Sequence, residues 1–202
     1  VLVGSVLQNC HTGENLTVKA RLKPYAGGIA TSTFLSPSFI SNCTSRTKVE
    51  AADMAVGGIL GMSSIQGTSI KNCINYGNIK TNSNVAGGIV GYVETGSLSI
   101  SDCLNAGDIN AENIAGGLFG TGLQGSKITI NNSYNIGRVG IIEPNGAADP
   151  IFPIAAMADG VIVDVGNCYY DNALYRGNSY GIAYPKDDMR SQEFTDRLNA
   201  DR

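Results

Sequence analysis

Tryptophan is absent from this 202-residue chain, histidine occurs once, and only 15% of the residues are charged. A lone His11 in the first, incomplete unit of the chain reads as a solvated loop residue, so triads built on histidine are not expected. There are 5 cysteines but no C-x-x-C or H-x-x-x-H spacing, which removes the usual zinc patterns; no metal is expected. No apolar run reaches about 18 residues, so no membrane span is expected. The net charge of −3 gives no electrostatic reason to expect nucleic acid. A signal-peptide pattern is missing at Val1, yet the chain opens partway through a repeat. Further repeats or domains are therefore expected in the parent chain, and the missing signal does not bear on secretion.

What the chain has in abundance is glycine, 26 residues, and most of it falls in register. The pairs Gly27-Gly28, Gly57-Gly58, Gly87-Gly88 and Gly116-Gly117 recur at a near-constant interval. Behind them run the columns Asn42, Asn72, Asp102, Asn132 and Cys43, Cys73, Cys103, Ser133. Ile40, Ile70, Ile100, Ile130 and Val49, Ile79, Ile109, Val139 keep the same phase. Units fall near 1–26, 27–55, 56–85, 86–114 and 115–168. At the end of the last of these, Asn167-Cys168 recurs after an insertion and marks a further, degenerate unit whose glycine pair is lost near Phe152-Pro153.

Short alternating runs rich in Ile, Val, Ser and Thr, such as Ile128-Thr129-Ile130, read as strands. Three short strands and three turns fit a unit of this length, and each unit alone is too small to hold a core. The expected fold is all-β: a right-handed parallel β-helix of about five coils, the hand coming from the general crossover rule. The asparagine column suits a corner where αL geometry is tolerated and side chains bond along the stack. The glycine pairs supply either positive φ or close packing at another corner. Residues 1–168 form the helix of coils and 169–202 a cap. In that cap Ser191 is the N-cap of a short helix with Phe194 and Leu198 on one face.

The run Gly-Gly-Ile/Leu-x-Gly at 57–61, 87–91 and 116–120 resembles the GLUG motif of bacterial surface proteins. The pattern Asn72-Cys73-Ile74-Asn75-Tyr76-Gly77-Asn78-Ile79 and the ending Asn167-Cys168-Tyr169-Tyr170 resemble the same family over roughly residues 26–200. The resemblance implies a secreted or wall-attached, extracellular location. It also implies adhesin-like proteins or non-catalytic parts of IgA-specific metallopeptidases, with glycans or host surface proteins as partners. Thr31 in place of the third glycine and Ser133 in place of cysteine are departures from the motif.

Other chemistry fares worse. Gly116-Gly117-Leu118-Phe119-Gly120-Thr121-Gly122 lacks the Lys-Ser/Thr and the helix of a phosphate loop, so no cofactor is expected. Cys43–Cys73 or Cys73–Cys103 could bridge between rungs, but parallel side chains and an odd count favour free thiols. Polysaccharide hydrolysis or lysis is the alternative function, with Asp102 and Asp164, or Asp108 and Glu143, as acid pairs brought together only by accident of register. The outward columns Phe39, Ser69, Ser99, Thr129 and Ser41, Lys71, Ser101, Asn131 are too mixed for an ice-binding face. The favoured function is a non-catalytic adhesive or spacing module. Its candidate ligand residues are Tyr169, Tyr170, Tyr175, Arg176 and Tyr180, which cluster off the repeat; packing of the cap over the last coil is the competing role for these tyrosines.

Overall fold

The computed structural model describes residues 1–20, 25–52, 54–64, 67–82, 85–141, 151–156, 159–175 and 180–200. They form a parallel β-solenoid with five strands per coil. The coil at 85–111 shows the plan: Val85–Gly87, Val90–Val93, Ser97–Ser101, Leu104–Asn105 and Ile109–Ala111. Each strand pairs in parallel with its counterpart one coil above and below, with partners one repeat apart such as Ile70↔Ile100 and Ile79↔Ile109. The sheets are numbered from the one containing Val90–Val93, the first. Ser97–Ser101 lies in the second, Leu104–Asn105 in the third, Ile109–Ala111 in the fourth and Val85–Gly87 in the fifth.

Four coils carry all five strands, beginning at Tyr25, Ala55, Val85 and Ile114. A partial coil flanks them on each side, so the expected five resolve into four complete turns with incomplete ends. Ile151–Phe152 pairs with Ala115–Gly116, which places Phe152-Pro153 where the missing glycine pair would stand. The insertion before it, at 142–150, lies outside the described residues.

The register follows from burial. Ile40, Ile70, Ile100 and Ile130 are all fully buried on the second sheet, each contributing about 1.5–3 kcal/mol. Val49, Ile79, Ile109 and Val139 fill a second apolar column. Between the two columns the coil is pinched, and the glycine pairs explain how. A Cβ on Gly87 would collide with the carbonyl of Val90, and one on Gly88 with the carbonyl of Gly117 and the side chain of Asn105. Close packing, then, is what the pairs supply; none of these glycines has positive φ.

The pinch is held by an interior asparagine column. Asn75, Asn105 and Asn135 are fully buried. Asn75 Nδ2 donates to Asn105 Oδ1, and Asn105 Nδ2 to Asn135 Oδ1, each at 2.8 Å. Every amide also donates to the carbonyl of the glycine two residues on. Burying an amide is tolerable only when it is satisfied in this way.

The C-terminal helix α1 (Gln192–Asn199) starts at Ser191, whose Oγ accepts from the Phe194 N–H at 3.1 Å. It does not lie across the end of the solenoid. Phe194 packs against Tyr134, Tyr169 and Tyr184, side chains in successive rungs of the third sheet, so α1 rides on the flank. The last complete coil is closed instead by Tyr170, Tyr175 and Tyr180, which pack on the main core. No described helix is long and apolar enough to cross a membrane.

Candidate functional site

The corner between the second and third sheets turns on residues with left-handed backbone. Asn42, Asn72, Asp102, Asn132 and Asn167 have φ from 48° to 56°, a region that asparagine and aspartate enter at modest cost. Their side chains run along the axis: Asn72 Nδ2 donates to Asn42 Oδ1, and Asn167 Nδ2 to Asn132 Oδ1, both at 2.8 Å. At Asp102 the pattern changes, because a carboxylate has no N–H to pass on to Asn72. Lys71 Nζ stands 3.8 Å from Asp102 there, with its side chain 65% exposed.

Beside this corner lies an open furrow of about 810 Å³, lined by Ser41, Asn42, Lys71, Asn72, Ser101, Asp102, Asn131 and Asn132. It crosses four rungs, so hydroxyl, amide and charged groups repeat roughly every 4.8 Å along it. The Ser41, Lys71, Ser101, Asn131 column was visible in the sequence as an outward row. Its value as a polar trough was not, because the trough needs the αL corner to raise one wall.

On the far side of the third sheet is a smaller recess of about 320 Å³, lined by Glu14, Arg46, Lys48, Tyr76, Gly77 and Asn78. Tyr76 is 41% exposed, and the Arg46 guanidinium lies 4.4 Å from its ring centroid while pairing with Glu14 at 3.0 Å. Tyr76 and Arg46 fill the variable position between Asn75 and Gly77 or its equivalent. Sequence reasoning passed over them because nothing repeats there.

The tyrosines expected to form a ligand platform are used otherwise. Tyr169 and Tyr170 are buried, the first against Phe194 and the second in the main core. Tyr175 caps the interior asparagine column: its hydroxyl accepts from Asn135 Nδ2 at 3.1 Å and donates to the Gly137 carbonyl at 2.6 Å. Burial pushes the Tyr175 phenol well above its usual range. Tyr180 is half-buried on the same core, and Arg176 lies outside the described residues. Large aromatic side chains sit here because the end of a coil stack exposes a whole cross-section of core, which only bulky groups can close.

No protein-family model and no curated protein matches the chain. Among solved structures, a Bacteroides ovatus protein described as a "putative immunoglobulin A1 protease" is similar, at 18% identity and a TM-score of 0.65. The match covers 99% of this chain and 70% of that one. At such identity the likeness establishes a shared fold. Its description falls in the same context as the IgA-specific peptidases to which the GLUG-like motifs point.

The acid pairs do not converge. Asp102 sits two rungs below Asn167 in its column, whereas Asp164 lies in the rung above Thr129, on the strand that leads to Asn167. Asp108 Oδ1 accepts from the Arg138 backbone N–H at 3.0 Å, and Glu143 is outside the described residues. Glu50 is held below the usual carboxylate range by Lys48 at 2.6 Å and Lys19 at 3.2 Å, the reverse of what a general acid needs. The thiols of the cysteine column are free. Cys43, Cys103 and Cys168 donate to carbonyls two residues back at 3.1–3.2 Å. Burial pushes Cys43 up to about 11 and Cys168 up to about 12. Among the described residues no cluster of His, Cys, Asp or Glu could hold a metal ion.

Proposed function

We propose that this chain is a non-catalytic module of a bacterial cell-surface or secreted protein, a stiff spacer that also binds glycan along its asparagine corner. The furrow carries this reading: it is long, shallow and polar, and it offers donors and acceptors at a regular interval to a hydroxyl-rich extended chain. Stiffness follows from coils that are hydrogen-bonded in parallel register in every sheet. The bacterial surface setting rests on the GLUG-like motifs and on the fold shared with the Bacteroides protein. Rim-type polar contacts of this kind give modest affinity, which suits an adhesive array better than a single tight site.

The experiment is a broad glycan and mucin array probed with the chain and with its Lys71→Glu variant, with the glycans recovered and sized afterwards. The proposal expects reproducible binding that falls at least about fivefold in the variant, an energy near ~1 kcal/mol, with glycans left intact. Binding that is equal in both proteins would move the ligand elsewhere. Trimmed glycans would replace the reading with the polysaccharide-active enzyme.

A further inference from the structure

Two outward columns of the second sheet run beside the asparagine corner. Nearest the corner stand Ser41, Lys71, Ser101 and Asn131, one per rung in parallel register. The corner amides bond to one another, but the Ser41 and Ser101 hydroxyls and the Asn131 amide have no hydrogen-bond partner among the described residues. Lys71 and Asp102, the one cation and the one carboxylate lining the furrow, face each other at 3.8 Å. The trough therefore carries no net charge.

The second column holds Phe39, whose ring is 50% exposed although its neighbour Ile40 is fully buried. Phe39 belongs to neither apolar core. It lies two positions before Ser41 on one strand and on the same face, so its ring flanks the lowest rung of the furrow. The upper end is set by the rung above Asn131. Gly166 offers no side chain there, and the Asn167 amide is fully used: it donates to Asn132 and to the Leu198 carbonyl and accepts from the Tyr169 hydroxyl. Free groups thus span four rungs, with an aromatic ring at one end.

We propose that the furrow takes a linear, uncharged, β-linked glycan laid along the solenoid axis, one sugar per rung over four rungs, with the sugar at the Ser41 rung stacked on Phe39. The inference rests on the glycan reading and names its ligand class. Rungs about 4.8 Å apart match the length that one ring adds to an extended β-1,4-linked chain, so successive sugars meet the free groups in phase. A curled α-linked chain or a branched one leaves the row after a rung or two. An acidic glycan gains little, because the cation that could meet it already faces Asp102 and the other rungs are neutral. Phe39 supplies what the polar row lacks, a flat apolar surface for the C–H face of a pyranose.

The test measures binding of the chain and its Phe39→Ala variant to β-1,4-linked oligomers of glucose, mannose and N-acetylglucosamine, from dimers to hexamers. Beside them stand α-1,4-linked gluco-oligomers, oligogalacturonates and the branched glycans of the mucin array. A neutral β-linked series should bind best, with affinity rising roughly fourfold per residue up to the tetramer and level beyond it. Phe39→Ala should weaken the tetramer roughly fourfold, to the level of the trimer. The ring is exposed, so that variant is expected to fold; unchanged backbone amide shifts at buried Ile70 and Ile100 check this. Best binding by an acidic or branched glycan, affinity that stops rising at the dimer, or a tetramer indifferent to Phe39→Ala would overturn this inference and leave the glycan reading standing. An array on which nothing binds would overturn both.

Discussion

Two asparagine columns run along this solenoid and use one amide chemistry for opposite ends. The inner column, Asn75, Asn105 and Asn135, is fully buried and saturated. It ends above on the Tyr175 hydroxyl and below at Ser45, whose buried Oγ has no hydrogen-bond partner among the described residues. The outer column, Asn42 through Asn167, bends the backbone at a solvent-facing corner and admits an aspartate at 102. The inner amides tie each coil to the next behind the glycine pairs; the outer ones shape a surface. A ligand can reach only the second.

The comparison is broken most directly by paired truncation. Asn105→Ala strands buried partners on both neighbouring rungs and should cost about 3 kcal/mol, whereas Asn72→Ala loses one exposed bond and some αL tolerance, about 1–2 kcal/mol. Chemical denaturation of both variants checks this, and equal costs would erase the distinction.

Alkaline unfolding under reducing conditions separates interior from surface in a second way. The buried Cys168 thiol stays protonated in the folded state up to about 12, while the unfolded thiol ionises near 8.5. The folded state therefore binds more protons between those values, so stability is full below about pH 8.5 and falls as pH rises, by about 1.4 kcal/mol per unit for this thiol. Unfolding free energies from chemical denaturation should fall, between pH 8 and 11, by about 3 kcal/mol more in the native chain than in Cys168→Ser. A Tyr175→Phe change, which removes the hydroxyl that terminates the inner column, should cost about 1.5 kcal/mol. The smallest effect is expected on the outside: Asp102→Asn restores a donor to the corner at the loss of a Lys71 ion pair, for a net gain of about 0.5 kcal/mol.

Much of the architecture could be read from the chain because a solenoid writes each structural role once per coil. Gly-Gly and Asn-Cys recur at that period, and the buried isoleucines keep the same phase. The inner asparagines were equally periodic, yet an asparagine two residues before a glycine reads as a turn, and no one-dimensional pattern tells a buried amide from a solvated one. Two causes for the glycine pairs stayed open for the same reason: positive φ and close approach both demand glycine, and only the Val90 and Gly117 carbonyls decide between them. The tyrosines of the last segment misled because they leave the repeat. Departure from a repeat marks either function or structural closure; here Tyr170 and Tyr175 close the end of the core, and Tyr169 seats α1 on the flank. The furrow stayed hidden because its walls come from four different coils.

One spectrum tests the central claim. The best-scoring array glycan is titrated into the labelled chain while the side-chain amide signals of both columns are followed. Movement at Asn42, Asn72 and Asn132 with the signals of Asn75, Asn105 and Asn135 unmoved, and with the glycan unaltered, is the result that a non-catalytic binding corner predicts. Still signals at the outer column in the presence of bound glycan, or new glycan products in the tube, would contradict it.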